Sequence, residues 1–290
     1  MKKKILVLMA LASMVFLTAC TGSSSSSSNT TILEKIKKSG VLKVATPGTL
    51  FPTSYHNDSG KLTGYEIDMM NEIGKRLGVK VKFTEIGVSE AFTAVDSGQV
   101  DVSVNNFDIN KERQKKYNMS TPYKYSVGGM IVRADGSSNI TAANLSDWSS
   151  KKAGGGAGTT YMQIAEKLGA EPVIYDNVTN DVYLRDVSTG RTDFIPNDYY
   201  TQIIAVDYIT KQYPDIKVKV SNVKYNPTKQ GIVMSKDDKS LLTAVNGTID
   251  DMMADNTIKK ISEKYYGGQD LTKPVKGADN LPVITISPKG

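Results

Sequence analysis

Apolar and polar positions divide the chain into three stretches with different patterns. Ile5 to Leu17 is a predominantly apolar run of thirteen residues. Thr21 to Thr31 shows no apolar repeat and holds six consecutive serines, Ser23 to Ser28. Such a segment cannot bury apolar area, so a flexible tether is expected there. From Thr31 onward, short apolar runs alternate with amphipathic ones. Thr31 to Gly40 reads as a short helix closed by glycine, and Val41 to Thr46 as a strand. Glu66 to Leu77 puts Ile67, Met70, Ile73 and Leu77 near one helical face, with Gly78 as the stop. Val79 to Glu85 alternates as a strand does. Ser89 to Ser97 reads as a helix and Val100 to Val104 as a buried strand.

A second series starts near Lys151. Helices are expected over Thr160 to Leu168, Val178 to Ser188 and Asp198 to Gln212, with strands at Pro172 to Tyr175 and Asp193 to Ile195. The chain returns through Gly231 to Met234 into helices at 238–255 and 257–265. Short strands between helices, in two series, imply an open α/β sheet in each half. An internal echo supports two similar halves. Val95-Asp-Ser-Gly98-Gln-Val-Asp101 resembles Val187-Ser-Thr-Gly190-Arg-Thr-Asp193: a helix ends at Ser/Thr-Gly, and an Asp opens the next strand.

Composition narrows the chemistry. In 290 residues there is one Cys and one His, which excludes an internal disulfide, a Cys-rich metal cage and the paired-His zinc spacings. No cofactor or metal is expected. The formal charge of +6 falls to +3 if Lys2, Lys3 and Lys4 are removed with a leader, too little and too dispersed for a nucleic-acid face. Those lysines precede the apolar run, as in an export signal, and the run is too short to span a bilayer comfortably. It ends in Leu17-Thr18-Ala19-Cys20, which resembles the bacterial lipobox. Residues 1–19 are then expected to be a lipoprotein signal peptide, with lipidation at Cys20, and 20–30 an anchor and Ser-rich linker. Acyl chains at Cys20 would tie the protein to the outer face of the cell membrane.

Gly64-Tyr-Glu-Ile-Asp-Met-Met-Asn-Glu-Ile-Gly-Lys-Arg-Leu77 resembles the signature of the solute-binding receptors of polar amino-acid ABC importers. The likeness extends through Ala45 to Tyr55, Gly98 to Val102, Asn105 to Arg113, Ser120 to Tyr123, Gly158 to Thr160 and Gly190 to Tyr200. It covers about residues 41 to 266. Within the family, Thr46 to His56 and Gly190 to Tyr200 look most like L-cystine-binding lipoproteins of Gram-positive bacteria. The resemblance implies a two-lobed, periplasmic-binding-protein-like (type II) α/β fold with two hinge-crossing strands. The crossings are expected near Ile131–Arg133 and Pro227–Ile232, so that 31–132 and 232–290 form lobe 1 and 133–231 form lobe 2. It further implies a monomer whose partners are an amino acid, an ABC permease and its ATPase.

A zwitterion removed from water needs a partner at each end. The resemblance gives Arg113 to the ligand carboxylate, a role suited to a guanidinium's two parallel donors. Gly158-Thr159-Thr160 opens a helix, where free N–H groups favour an anion. Asp198, at a strand's carboxyl end, is the expected ammonium partner. Asp108 stands where relatives have Thr or Ser, and could hold a second ammonium or point elsewhere. Asn106 is expected to contact ligand through carbonyl groups, and Phe51 and Tyr55 to wall the side chain. Pro47 stands where basic-amino-acid binders carry an acid, which counts against Lys or Arg as ligand. Cystine is the expected ligand, with cystathionine, glutathione or another polar amino acid as alternatives. An enzyme or a surface adhesin is the weaker reading, since no nucleophile–His pair, metal cluster or phosphate loop stands out.

Overall fold

The computed structural model describes residues 30–176, 178–237 and 239–286. The expected signal peptide, Cys20 and nearly all of the Ser-rich linker lie outside the described residues. The described residues from Thr31 onward form one compact unit.

The first half begins with α1 (Ile32–Ser39) and β1 (Val41–Thr46), then a small meander of β2 (Thr49–Leu50), β3 (Ser54–His56) and β4 (Leu62–Thr63). α2 (Tyr65–Arg76), β5 (Lys80–Glu85), α3 (Val88–Asp96), β6 (Val102–Ser103), α4 (Lys111–Lys116) and β7 (Asn118–Met119) follow. The second half holds β8 (Lys124–Arg133), β9 (Lys152–Gly155), α5 (Thr160–Lys167), β10 (Glu171–Ile174), α6 (Asn180–Thr189), β11 (Phe194–Asp198), α7 (Tyr199–Gln212), β12 (Val218–Val220) and β13 (Tyr225–Gln230). The chain then returns through β14 (Val233–Met234) to α8 (Lys239–Ala254) and α9 (Thr257–Tyr265).

Each half owns a sheet with the same plan. Lobe 1 has the order β5-β1-β6-β14-β7 and lobe 2 the order β10-β9-β11-β8-β12, with β13 also on β8. In each, a parallel trio is followed by one antiparallel strand that has come across from the other half, β14 in lobe 1 and β8 in lobe 2. The first core lies under β1, β6, α2 and α8, with Leu42, Met70, Ile73, Val245 and Ile249 fully buried. The second core centres on Trp148, Phe194, Met130 and Tyr225. Each fully buried aliphatic side chain contributes about 1.5–3 kcal/mol by leaving water.

The first crossing differs from the one expected, while the second falls within the expected Pro227–Ile232. β8 pairs from Lys124 onward with β13, and through Gly128 to Val132 with β11, so it belongs wholly to lobe 2. The first crossing is therefore at Ser120–Tyr123, not Ile131–Arg133. It runs beside the second, at Gln230–Ile232, joined by Tyr123 N–H to Gln230 O at 3.1 Å and Ser120 N–H to Ile232 O at 3.0 Å. The apolar run 127–132 resembles a lobe-joining segment because a central strand is buried on both faces. The chain's last stretch also departs from the expected lobe 1 range 232–290. The backbone N–H of Asn226 donates to Pro282 O, and Ile284 and Ile286 pack on the lobe 2 core.

Two local features position the cleft. Gly64 has φ 133°, and a Cβ there would meet Thr53 O at 2.3 Å. Only glycine lets the meander pass so close to the start of α2. α7 has two apolar faces: Val206 and Ile209 pack in the lobe 2 core, while Tyr200 and Ile204 pack on the lobe 1 core. Tyr208, one turn further, stacks on Phe51 of lobe 1 with ring centroids 4.4 Å apart. The lobes thus meet along the stripe 200/204/208, whose four-residue spacing is one side of a helix.

Candidate ligand-binding cleft

Between the lobes lies a cleft enclosing about 860 Å³, part of it open to solvent. Lobe 1 contributes Pro47, Thr49, Leu50, Val88 and the segment Asn105–Asp108 with Arg113. Lobe 2 contributes Gly155, Gly156, Thr159, Thr160, Tyr161 and the ends of β10 and β11. These positions follow the carboxyl ends of parallel strands, where open α/β sheets place ligands.

Arg113 sits in the first turn of α4, which Asn110 caps by accepting from the Arg113 N–H at 2.8 Å. Its guanidinium lies 5.7 Å from the ring centre of Phe92 and 5.3 Å from that of Phe107. Nη1 donates to the main-chain oxygen of Asp108 at 2.9 Å. Burial pushes its pKa below the ordinary value. Asn106 adopts φ 50°, a left-handed turn that Asn tolerates better than most residues, and this turn brings Asp108 round to the cleft. Asp108 Oδ1 accepts from Gln230 Nε2 at 3.0 Å and from the Tyr161 hydroxyl at 3.4 Å. Burial raises its pKa, against the lowering charge of Arg113.

Across the cleft, Gly158 takes a left-handed turn at φ 71° and Thr159 caps α5 by accepting from Met162 N–H at 3.2 Å. Thr160 Oγ1 accepts from Asn110 Nδ2 at 3.3 Å, so the lobes touch through side chains beside the site.

Five expected side chains therefore share one cleft: Arg113, Asp108, Asn106, Thr159 and Thr160. Gly158 shapes the turn into α5 without lining the cleft. Three residues fall elsewhere. Asp198 is fully buried: its Oδ2 accepts from Lys124 Nζ at 3.0 Å and its Oδ1 from Thr201 N–H at 2.8 Å. It caps α7 and pairs with a lysine, so it is not offered to a ligand's ammonium. Phe51 is turned to Tyr208 and to Tyr55, whose ring lies edge-on at 4.6 Å, and the Phe51 N–H donates to Asn180 Oδ1 at 3.0 Å. Phe51 and Tyr55 join the lobes beside the cleft, and the apolar wall is formed by Leu50, Val88 and Tyr175 instead. The overlooked lining at Tyr175 and Asp176 follows β10, and Asn197 lies one residue before the end of β11. The rule about strand ends pointed to both; the end of β10 carries no motif of its own, whereas Asn197 lies within Gly190–Tyr200, one of the stretches that carry the resemblance.

Beneath the cleft floor, Lys124 Nζ also donates to Asn106 Oδ1 at 2.7 Å and to Thr201 Oγ1 at 3.2 Å. Glu66 Oε1 accepts from Asn106 N–H at 2.6 Å and from the Tyr123 hydroxyl. Its Oε2 has no partner among the described residues. Burial without a full set of donors pushes the Glu66 carboxyl up to about 7.

The model of the bacterial extracellular solute-binding proteins, family 3, matches residues 42–268. The chain belongs to this family. Its relatives include the probable ABC transporter extracellular-binding protein YckB of Bacillus subtilis, 44% identical over 94% of each chain. The L-cystine-binding protein TcyJ of Escherichia coli K12 is 32% identical over 83% of this chain and 88% of that one. The crystal structure of Bacillus subtilis YckB aligns with a TM-score of 0.66, covering 87% of this chain and 99% of the other. The family fold is thus the two-lobed one found here. Family membership and these relatives make the chain an extracellular solute-binding protein and not an enzyme. No helix of the described residues is long and apolar enough to cross a membrane.

Proposed function

We propose that the protein is the receptor of an amino-acid ABC importer and that its ligand is L-cystine. The observation that carries this is a half-buried guanidinium, Arg113, at the floor of an interlobe cleft beside a buried acid, Asp108. Arg113 donates to the ligand carboxylate, and the N-terminus of α5 with the Thr160 hydroxyl supports the same anion. Ligand touching both lobes favours their closed arrangement, which a permease then recognises. The cystine-binding relative TcyJ supports the choice of ligand. A cleft with acids at both its floor and its rim, Asp108 and Asp176, supports a ligand carrying two ammonium groups.

Lipidation at Cys20 would hold this receptor at the outer face of the cell membrane as a monomer on the tether 20–30. Cys20→Ser then moves it from the membrane fraction to the medium, and light scattering gives one chain per particle.

A thermal-shift screen over cystine, cystathionine, glutathione and the twenty amino acids tests the ligand. At a hundredfold excess over Kd, linkage stabilises the folded state by about 2.7 kcal/mol. A shift with cystine alone is the expected result. A shift with glutathione or cystathionine alone reassigns the ligand, and no shift with any of them removes the importer reading.

A further inference from the structure

The turn that carries Asn106 is built onto the hinge. Gly231 N–H of the second crossing donates to Phe107 O at 3.0 Å, and Ile109 N–H donates to Lys229 O at 2.8 Å. Asp108 and Gln230 thus form an antiparallel bridge. The turn lies as a third strand against the second crossing, which in turn lies against the first.

The start of α2 joins the turn to the first crossing as well. The Tyr65 hydroxyl donates to the main-chain oxygen of Tyr123 at 2.9 Å. Glu66 Oε1 accepts from the Asn106 N–H at 2.6 Å and from the Tyr123 hydroxyl. One carboxylate oxygen therefore links the main chain of the turn to a side chain of the first crossing. Glu66 and Tyr123 are fully buried, and neither lines the cleft. Asn106 does line it, with its backbone at φ 50°. A residue other than glycine keeps such a conformation only where its surroundings over-determine it. Here two holds do so: Glu66 on the Asn106 N–H, and Lys124 Nζ on Asn106 Oδ1 at 2.7 Å.

We propose that Glu66 is a positioning residue that ties the turn at Asn106 to the first crossing at Tyr123, so that the seating of ligand on the turn and movement at the hinge are coupled through one oxygen. The proposal rests on the amino-acid reading above and adds how contact with lobe 1 reaches the hinge. A ligand favours closure only as far as it binds the closed arrangement better than the open one. A turn fixed to the crossing has its shape set by that arrangement and is ready for ligand. A turn released from Glu66 has a buried N–H without an acceptor, and ligand must then bear the cost of ordering it.

The test is calorimetric titration with L-cystine of wild type, Glu66→Gln, Glu66→Leu, Tyr123→Phe and the double variant Glu66→Leu/Tyr123→Phe, each as the full chain, with a thermal melt of each. Glu66→Leu removes the acceptor at similar volume and is expected to weaken cystine binding by at least about tenfold. Glu66→Gln keeps the oxygen and is expected to restore affinity to within about threefold of wild type. Tyr123→Phe is expected to cost at least about threefold alone and less than about twofold once Glu66 is Leu, because the link is already cut. A purely structural Glu66 would lower the melting temperature of the Leu variant and leave its cystine affinity within about threefold of wild type, which overturns the proposal. Equal losses in Glu66→Gln and Glu66→Leu overturn it too, as does a Tyr123→Phe loss of the same size in both backgrounds. Should Glu66→Leu not fold, wild-type affinity in Tyr123→Phe overturns it. If wild type binds none of cystine, cystathionine, glutathione or the twenty amino acids, the importer reading falls and takes this one with it. Cystine bound equally by wild type and every variant sinks this one alone.

Discussion

A guanidinium held among two phenylalanines and a carbonyl, with no carboxylate within ion-pair distance among the described residues, is costly to the folded state. Arg113→Ala is therefore expected to reduce amino-acid affinity by about thirtyfold or more, while its melting temperature equals or slightly exceeds that of wild type. Calorimetry and a thermal melt read the two effects separately, and unchanged affinity would take Arg113 out of the site. Glu66 predicts a pH dependence. Its carboxyl sits at about 7 in the folded protein against an ordinary 4.5, so between these values the native state holds a proton that the unfolded chain has released. Stability from this group is full at low pH and falls as pH rises from 4.5 to 7, by roughly 3 kcal/mol in all. Glu66→Gln, which keeps the acceptor for Asn106 and Tyr123, is expected to flatten that fall in denaturant melts taken across the range. Arg113 was legible beforehand because its motif is local, with capping residue, acid and arginine inside one turn. The Lys124–Asp198 pair was not, because its members are 74 positions apart and a lysine at the start of a strand resembles any surface lysine.

Among elements, the repeated helix–Gly–Asp junction has a structural cause in both lobes. Gly98 and Gly190 both take left-handed turns, at φ 71° and 82°. Asp101 Oδ2 accepts from Lys43 N–H of β1 at 2.7 Å, and Asp193 Oδ2 accepts from Lys152 N–H of β9 at 2.8 Å. Each carboxylate thus satisfies a donor on the neighbouring strand, fixing where the third parallel strand meets the first. Asp193 also pairs with Arg133 Nη2 at 2.9 Å. Asp193→Ala should cost about 1–3 kcal/mol in urea unfolding, since it strands a backbone donor and a half-buried guanidinium. A loss below a few tenths of a kcal/mol would mean the junction is held by glycine alone. Two glycines sharpen the point. Gly64→Ala forces a Cβ onto Thr53 O and should be severely destabilising, whereas Gly247→Ala, in α8 with nothing within 4 Å of the new Cβ, should raise stability by about 0.4–1 kcal/mol. The longer helices and most of the parallel strands were legible because each has a period and a stop, whereas the six-residue α4 is too short to show one. The meander β2–β4 was not, since strands of two or three residues are too short to show one. α7 was placed correctly, but its two lobes of contact were hidden because a helix apolar on both sides carries little directional signal.

For the whole molecule, closure is decided where the lobes touch away from the ligand. The stripe Tyr200, Ile204 and Tyr208 of α7 rests on lobe 1, and Phe51 is the lobe 1 partner of Tyr208. Beside the cleft, Asn110 reaches Thr160, and Asn180 reaches the Phe51 backbone. If these contacts form only on closing, part of the observed affinity belongs to them and not to the ligand. A double-mutant cycle on Phe51→Ala and Tyr208→Ala separates the two. A stacked aromatic pair couples by about 0.5–1.5 kcal/mol. When the unliganded lobes are mostly open, that coupling appears in the ligand-binding free energy and is absent from the stability of the empty protein. When they are mostly closed, it moves to the stability and leaves binding unaffected. The expected result is coupling in binding, with a smaller radius of gyration on adding cystine in wild type. Neither single variant should match that contraction fully at the same ligand concentration. Coupling confined to the empty protein's unfolding, with no change in radius, would mean that the cleft is preformed and that the permease reads the ligand by some means other than closure.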